Sequence, residues 1–353
     1  MKIFTCQQCS QTILFDNTLC ESCGSSLGFL SEPMILSALK PDGSGFRALA
    51  DTNMPAKKWY YCKNAQYFVC NWLVDNPDTL CEACQLNRHI PNLERVKQRD
   101  EWQKLEFAKH RLVYSLIKLG LPVLNKTENP EEGLSFDFIS EENAVPVNAQ
   151  STTGHALGQV TINTSEANSA EREQMREDMK ESYRTLIGHF RHEVGHYYWD
   201  QLIAENDIEL ANYRTLFGNE RASYADALRK HYENPVQNWQ DNFVSAYASS
   251  HPWEDWAETW AHYLHIVDTL ETASEFGISM SPPNNQHQGL AATINIDPYC
   301  HANFEDIIAQ YLPLTFAVNN LNRSMGQPDL YPFVLVPKVR EKLAFIHRIV
   351  HGN

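Results

Sequence analysis

The run His192-Glu193-Val194-Gly195-His196 places two imidazoles and a carboxylate within five residues. In a helix the two histidines fall about 40° apart around the axis, so both rings reach one metal ion. Glu193 then lies close enough to take a proton from a water on that ion. These are the groups a zinc hydrolase needs, short of one ligand. A motif this brief also occurs by chance, so the reading depends on a third ligand and on a fold that carries it.

The segment from Tyr247 to His262 offers that ligand. Pro252 suits a first helical turn. Trp253, Trp256, Trp260, Leu264 and Val267 form an apolar stripe, while Glu254, Glu258, His262 and His265 run down another face. Carboxylates and imidazoles on an otherwise apolar helix need a neutralising partner, and a metal held by the first helix supplies one. Glu254, Glu258 and His262 are all open as the third ligand, with Glu254 the first choice. Glu258, one turn on, would then accept a hydrogen bond from the other ring nitrogen of a ligating histidine. His189, three residues before His192, is read as packing or support and not as a ligand.

Eight of the nine cysteines lie between Cys6 and Cys84. Cys6, Cys9, Cys20 and Cys23 form two C-x2-C knuckles ten residues apart, the spacing of a closed structural zinc site. Cys62, Cys70, Cys81 and Cys84 form a second quartet with only one knuckle. Two short strands around Tyr60-Tyr61 and Phe68 to Leu73 would bring Cys62 and Cys70 together. Clusters of this kind suit a reducing compartment, where thiols bind metal rather than pair as disulfides. Cys300, far from the rest, is read as a core residue.

Several elements must position these groups. A helix from about Tyr183 to Leu202 would carry the histidines and bury Leu186, Ile187, Phe190, Val194, Tyr197 and Tyr198. A long helix is predicted over Asn92 to Leu119, ended by Gly120-Leu121-Pro122. Residues 125–150 read as acidic and turn-rich around Phe136-Asp137-Phe138. Gln159 to Asn163 alternates like a strand, either an edge strand able to pair with an extended substrate or an ordinary half-buried one. Glu171 to Lys180 is a charged, solvated helix, and two more helices follow at about Asn303–Met325 and Pro337–Val350.

The net charge of −15 falls entirely after residue 100, where 19 Lys/Arg stand against 34 Asp/Glu. An acidic body argues against nucleic acid as the main partner. The start lacks a secretory pattern and no apolar run is long enough to span a bilayer, so a cytoplasmic, membrane-free protein is expected.

The pairing of H-E-x-x-H with a downstream glutamate helix resembles the gluzincin metallopeptidases, above all their lethal-factor-like branch with its E-x-x-A-E pattern. That resemblance implies that Glu254 binds zinc and that Tyr247, seven residues upstream, assists the reaction as an oxyanion donor. The stretches His189–Asp200 and Trp253–Tyr263, together with the cysteine-rich start, make the chain similar to bacterial zinc-binding metallopeptidases with an N-terminal zinc ribbon.

The expectation is therefore an α+β, mainly helical chain. Residues 1–90 would form a zinc-ribbon module with two four-cysteine sites, and residues 91–353 a zincin-like domain. It would hold one catalytic and two structural zinc ions and hydrolyse a peptide or protein substrate, with Glu193 and Tyr247 as catalytic residues. Two other readings stand beside it: an interaction module carrying an inactive zincin domain, and a zinc hydrolase or deaminase acting on a non-peptide substrate.

Overall fold

The structure is a computed structural model that describes residues 2–51, 57–140, 154–178, 183–300 and 303–352. It is α+β and 48% helical. The chain separates into two compact units, Met1–Ser169 and Ala170–Asn353.

The first unit begins with small antiparallel sheets. Strands β1 (Phe4–Thr5) and β2 (Thr12–Ile13) pair, as do β3 (Leu27–Leu30), β4 (Ile35–Asp42) and β5 (Gly45–Ala48) in a meander. Strand β6 (Tyr60–Tyr61) pairs with β7 (Leu73–Val74), so the second of the two strands expected around Cys62 and Cys70 begins only at Leu73, and Cys70 lies in the loop before it. A short helix α1 (Glu82–Gln85) leads to strand β8 (Asn87–His89) and the long helix α2 (Val96–Lys118). The apolar face of α2 closes the core of this unit. Tyr114 lies 5.3 Å from the Phe15 ring, and Phe15 and Trp72 both pack on Phe29 at under 5 Å. Residues 91–169, grouped by their sequence with the second domain, thus fold with the cysteine-rich segment.

Strands β9 (Ser135–Ile139), β10 (Gly154–Ala156) and β11 (Gln159–Asn163) complete a four-stranded sheet in the order β10-β11-β9-β8. Phe136-Asp137-Phe138 is therefore an internal strand and not a turn. Buried Asp137 explains the misreading, since it looks like a turn residue but accepts from Arg88 on β8 and from Gln159 on β11, tying both neighbours to β9. Residues 141–150 of the expected turn-rich stretch lie outside the described residues. Gln159–Asn163 is a strand, yet both its edges are already paired, by β10 on one side and β9 on the other. It has no free edge for a substrate.

The second unit is helical: α3 (Ser169–Asp178), α4 (Leu186–Trp199), α5 (Asp207–Leu216), α6 (Tyr224–Glu233), α7 (Pro252–Glu275), α8 (Phe304–Ser324) and α9 (Pro337–His351). Strands β12 (Ser279–Met280) and β13 (Ala292–Thr293) pair between α7 and α8. Helix α3 buries no side chain, as its charge pattern implies, and residues 179 and 180 of the expected span are outside the described residues. Thr185 caps α4 by accepting from Gly188 N, and α4 runs into a single π-turn at Asp200–Ala204. His251 caps α7, its Nδ1 accepting from Trp253 N while Nε2 donates to the carbonyl of Ala222. No helix among the described residues is long and apolar enough to cross a membrane.

Helices α4 and α7 form the centre of this unit. They approach so closely that a Cβ placed on Gly195 would stand 3.0 Å from Ala257 Cα and 3.2 Å from Trp260 Cβ. Trp256 Nε1 donates to the Gly195 carbonyl at 2.8 Å, fixing the two helices in register. Trp256 and Trp260 are fully buried. Trp253 leaves the stripe expected for it and is only half-buried. Helix α9 is anchored by a buried ion pair, Lys342 Nζ to Asp255 Oδ2 at 2.6 Å.

Gly195→Val places two branched methyl groups into this contact. Such overpacking costs about 1–3 kcal/mol, and denaturant unfolding of Gly195→Val will show a lower midpoint than wild type. An unchanged midpoint would show that the contact is not tight.

Candidate metal centres

Helix α4 turns His192, Glu193 and His196 into the interior, with all three side chains buried. Helix α7 brings Glu254 against them. Glu254 Oε2 lies 3.0 Å from His192 Nε2 and 3.5 Å from His196 Nε2. These separations bracket the edge of about 3.3 Å expected for ligands about 2.0 Å from a tetrahedral zinc. His192 Nδ1 donates to Glu258 Oε1 at 2.7 Å. In the neutral ring that leaves a lone pair on Nε2 facing the carboxylate of Glu254. Two acceptors at 3.0 Å repel each other unless a cation lies between them. Glu254 Oε2 is also a buried oxygen without a hydrogen bond among the described residues. The donor set and the orphaned oxygen therefore fit a metal ion.

The supports behind the ligands are equally specific. Glu258 accepts from Ser245 Oγ at 2.5 Å through its other oxygen. Glu254 Oε1 accepts from Tyr224 Oη at 2.5 Å. Burial opposes ionisation of Glu254, but the adjacent His196 and His192 hold its carboxyl well below the usual range. Trp253 lies over the His196 ring, with centroids 3.8 Å apart. Sequence reasoning missed Tyr224, Ser245 and this role of Trp253. Tyr224 sits on α6, 30 residues before Glu254, and no spacing rule links the two.

Glu193 is held on one side only. His189 Nε2 meets its Oε1 at 3.1 Å, and Oε2 is buried without a hydrogen-bond partner among the described residues. Burial opposes its ionisation, but the His189 bond and the nearby imidazoles bring the carboxyl down to about 2. Glu193 is thus an ionised carboxylate, with one oxygen held by His189 and the other turned into the site. Tyr247 begins a short 3-10 turn, its ring centroid 5.9 Å from that of His192. Burial and the charge of Glu254 hold its phenol well above its ordinary range, so it remains a donor at neutral pH. His262 lies apart from the ligand cluster, with Nδ1 2.7 Å from Tyr331 Oη, and burial lowers it to about 4.

The cysteines converge as two quartets, each with its sulfurs within 4.8 Å of one another. In the first, Cys6 and Cys23 are 3.7 Å apart and Cys9 and Cys20 3.6 Å. Those distances exceed the disulfide length of about 2.05 Å and match the edge of about 3.8 Å of a zinc tetrathiolate. Each knuckle closes through a bond back to its first cysteine, from Ser10 N and Gly24 N, and both residues adopt positive φ. In the second, Cys70 and Cys81 are 3.6 Å apart, Cys81 N donates to Cys62 Sγ and Trp72 N to Cys70 Sγ. All four of these cysteines are buried. His110 from α2 gives its Nδ1–H to the carbonyl of Glu106 and turns Nε2 toward Cys84 Sγ at 3.6 Å, a neighbour invisible in the cysteine spacing. Cys300, expected in the core, is exposed. It stands in a turn after Asp297, its backbone N donating to the Asp297 carbonyl.

Residues 98–349 match the family described as Putative zinc-binding metallo-peptidase, and residues 3–95 match a zinc-ribbon domain. Two uncharacterized proteins, one from Mycobacterium bovis and one from Mycobacterium tuberculosis, are each 40% identical over 353 residues, covering 99% of this chain and 95% of the relative. No solved structure matches the chain. With that family match spanning well over half of its length and those relatives aligned almost end to end, the chain belongs to this zinc-binding metallo-peptidase family and carries a zinc-ribbon domain ahead of it.

Proposed function

We propose that the protein is a zinc-dependent peptidase of the gluzincin type, with His192, His196 and Glu254 as the ligands. The observation that carries this reading is the convergence of both Nε2 atoms on the orphaned Glu254 Oε2, with the half-satisfied Glu193 beside them. Zinc held there would supply Lewis acidity and lower the pKa of a water toward about 7.

The chain's own residues do the rest. Glu193 accepts the proton of the attacking water through Oε2 and returns it to the leaving amine, while His189 keeps Oε1 in place. Tyr247 donates a hydrogen bond to the oxyanion that develops on the substrate carbonyl. Glu258 fixes the tautomer and orientation of His192, and Tyr224 does the same for the Glu254 carboxylate. The two cysteine quartets hold structural zinc, which gives the many short strands of the first unit the stability their small cores lack. Eight cysteines in metal-binding quartets also suit a reducing cytosol, where we place the protein.

Elemental analysis of the purified chain should find about three zinc ions per molecule, and Cys20→Ser and Cys81→Ser should each lose one. A single zinc per chain would overturn the assignment of the quartets. Glu193→Gln should keep its metal and lose about 10²–10⁴-fold in peptide hydrolysis, measured on a diverse peptide mixture by mass spectrometry. Cleavage that persists in Glu193→Gln would refute the peptidase reading. Glu254→Ala should release the catalytic zinc, and the ligand choice fails if Glu258→Ala does so instead. Tyr224→Phe should weaken catalytic-zinc affinity about tenfold in a chelator competition, without changing the content of the cysteine sites.

A further inference from the structure

A cavity of about 470 Å³ opens beside the candidate active site, between the end of α6 and the turn that carries Tyr247. Ala246 and Ser249, which flank Tyr247 in the chain, line it, and so does His231. The His231 ring stands 6.3 Å from that of Tyr247, edge to face, and Tyr247 stands 5.9 Å from His192. The cavity is thus two ring contacts from a candidate zinc ligand. An extended peptide advances about 3.3 Å per residue, so this offset corresponds to about two to four residues from the bond being cut.

The lining has a definite chemistry. Among the described residues Glu233 is its only acidic side chain, and no Lys or Arg lines it. Burial lowers the pKa of His231, so its ring is neutral, and its Nδ1 has no hydrogen-bond partner among the described residues. Val236 and Trp239 supply apolar surface, and Gln237 and Gln240 supply amides. An aliphatic stem can lie along Val236 and Trp239 while a cationic head meets Glu233 and the indole face. The net charge of this half of the chain favours the same ligand, since residues 170–353 hold 14 Lys/Arg against 25 Asp/Glu in all.

We propose that this cavity is a substrate subsite for a basic side chain, Lys or Arg, two to four residues from the scissile bond. As a specificity site it rests on the peptidase reading above. As a binding site for a basic peptide it does not.

The test uses the zinc-loaded full chain and fluorescein-labelled heptapeptides of Ala and Gly with one Lys, Gln or Glu stepped through the positions. At one position Lys should raise kcat/KM about fivefold or more over Glu, and Glu233→Lys should reverse that preference. Cleavage without a Lys preference, or with one that Glu233→Lys leaves intact, overturns the subsite while the peptidase reading stands. If no peptide is cut in a Glu193-dependent way, the peptidase reading falls and anisotropy decides the subsite. Lys peptides that bind Glu193→Gln, and bind more weakly when Glu233→Lys is added, then support it. Equal binding of Lys and Glu peptides overturns it.

Discussion

The close approach of α4 and α7 at Gly195 is the contact on which the metal centre depends. His192 and His196 can be placed by any helix, but Glu254 reaches them only if a second helix lies almost backbone to backbone with the first. A Cβ on Gly195 would press to 3.0 Å from Ala257 Cα and 3.2 Å from Trp260 Cβ, so any side chain there pushes the helices apart. The Trp256 indole, bonded to the Gly195 carbonyl, then sets the register along the axis. The glycine within the histidine motif is therefore a packing residue whose effect is electrostatic. By letting the helices touch, it brings a carboxylate to 3.0 and 3.5 Å from two imidazole nitrogens, a set that a shared cation stabilises.

Around that contact the polar groups are arranged in directed pairs. Ser245 orients Glu258, Glu258 orients His192, Tyr224 orients Glu254, and His189 orients one oxygen of Glu193. In a buried site a ligand held through its second oxygen or nitrogen loses little entropy when metal binds, and it cannot turn away. The Lys342–Asp255 pair next to Glu254 belongs to the same scheme at longer range. It pins α9 to the first turn of α7, the turn that carries Glu254. Burial favours the neutral form of both partners, pushing Asp255 up to about 7 and Lys342 down, so neither tolerates loss of the other.

Legibility from the sequence followed the range of the interactions. The histidine motif, the first cysteine quartet and the Pro252 start of α7 are set within a few residues, and all are readable locally. Helices α2, α4 and α7 were readable to within a few residues from apolar periodicity, because each buries a face, whereas α5 and α6, which bury little, were not read as helices. Gln159–Asn163 read as a strand by the same logic, but whether its edge was free depended on β10 and β9, which pair with it from elsewhere in the chain. Phe136-Asp137-Phe138 failed as a strand because Asp137 is a poor strand former until Arg88 and Gln159 satisfy it. Trp253 was misplaced because its indole covers His196 instead of the core, and Cys300 because nothing local announces the exposed turn that holds it. The family boundary near residues 95–98 and the boundary between compact units at Ser169 differ for a related reason. The first follows the sequence pattern and the second follows Tyr114, whose ring completes an aromatic core begun at Phe15.

By itself the amino-acid sequence determined which groups this protein can bring to chemistry: two imidazoles and a base on one helix, carboxylates one turn apart on another, and eight thiols at metal-binding spacings. Those follow from helix pitch and knuckle geometry, which are local and the same in any protein. The tertiary structure decided which carboxylate faces the histidines and which stands behind them. It also supplied Tyr224 and Ser245 as supports and opened the cavity beside Tyr247. Each of these depends on where a second element lies to within an ångström or so. That position is set by the packing of Gly195 against Ala257 and Trp260, and no spacing within either helix encodes it.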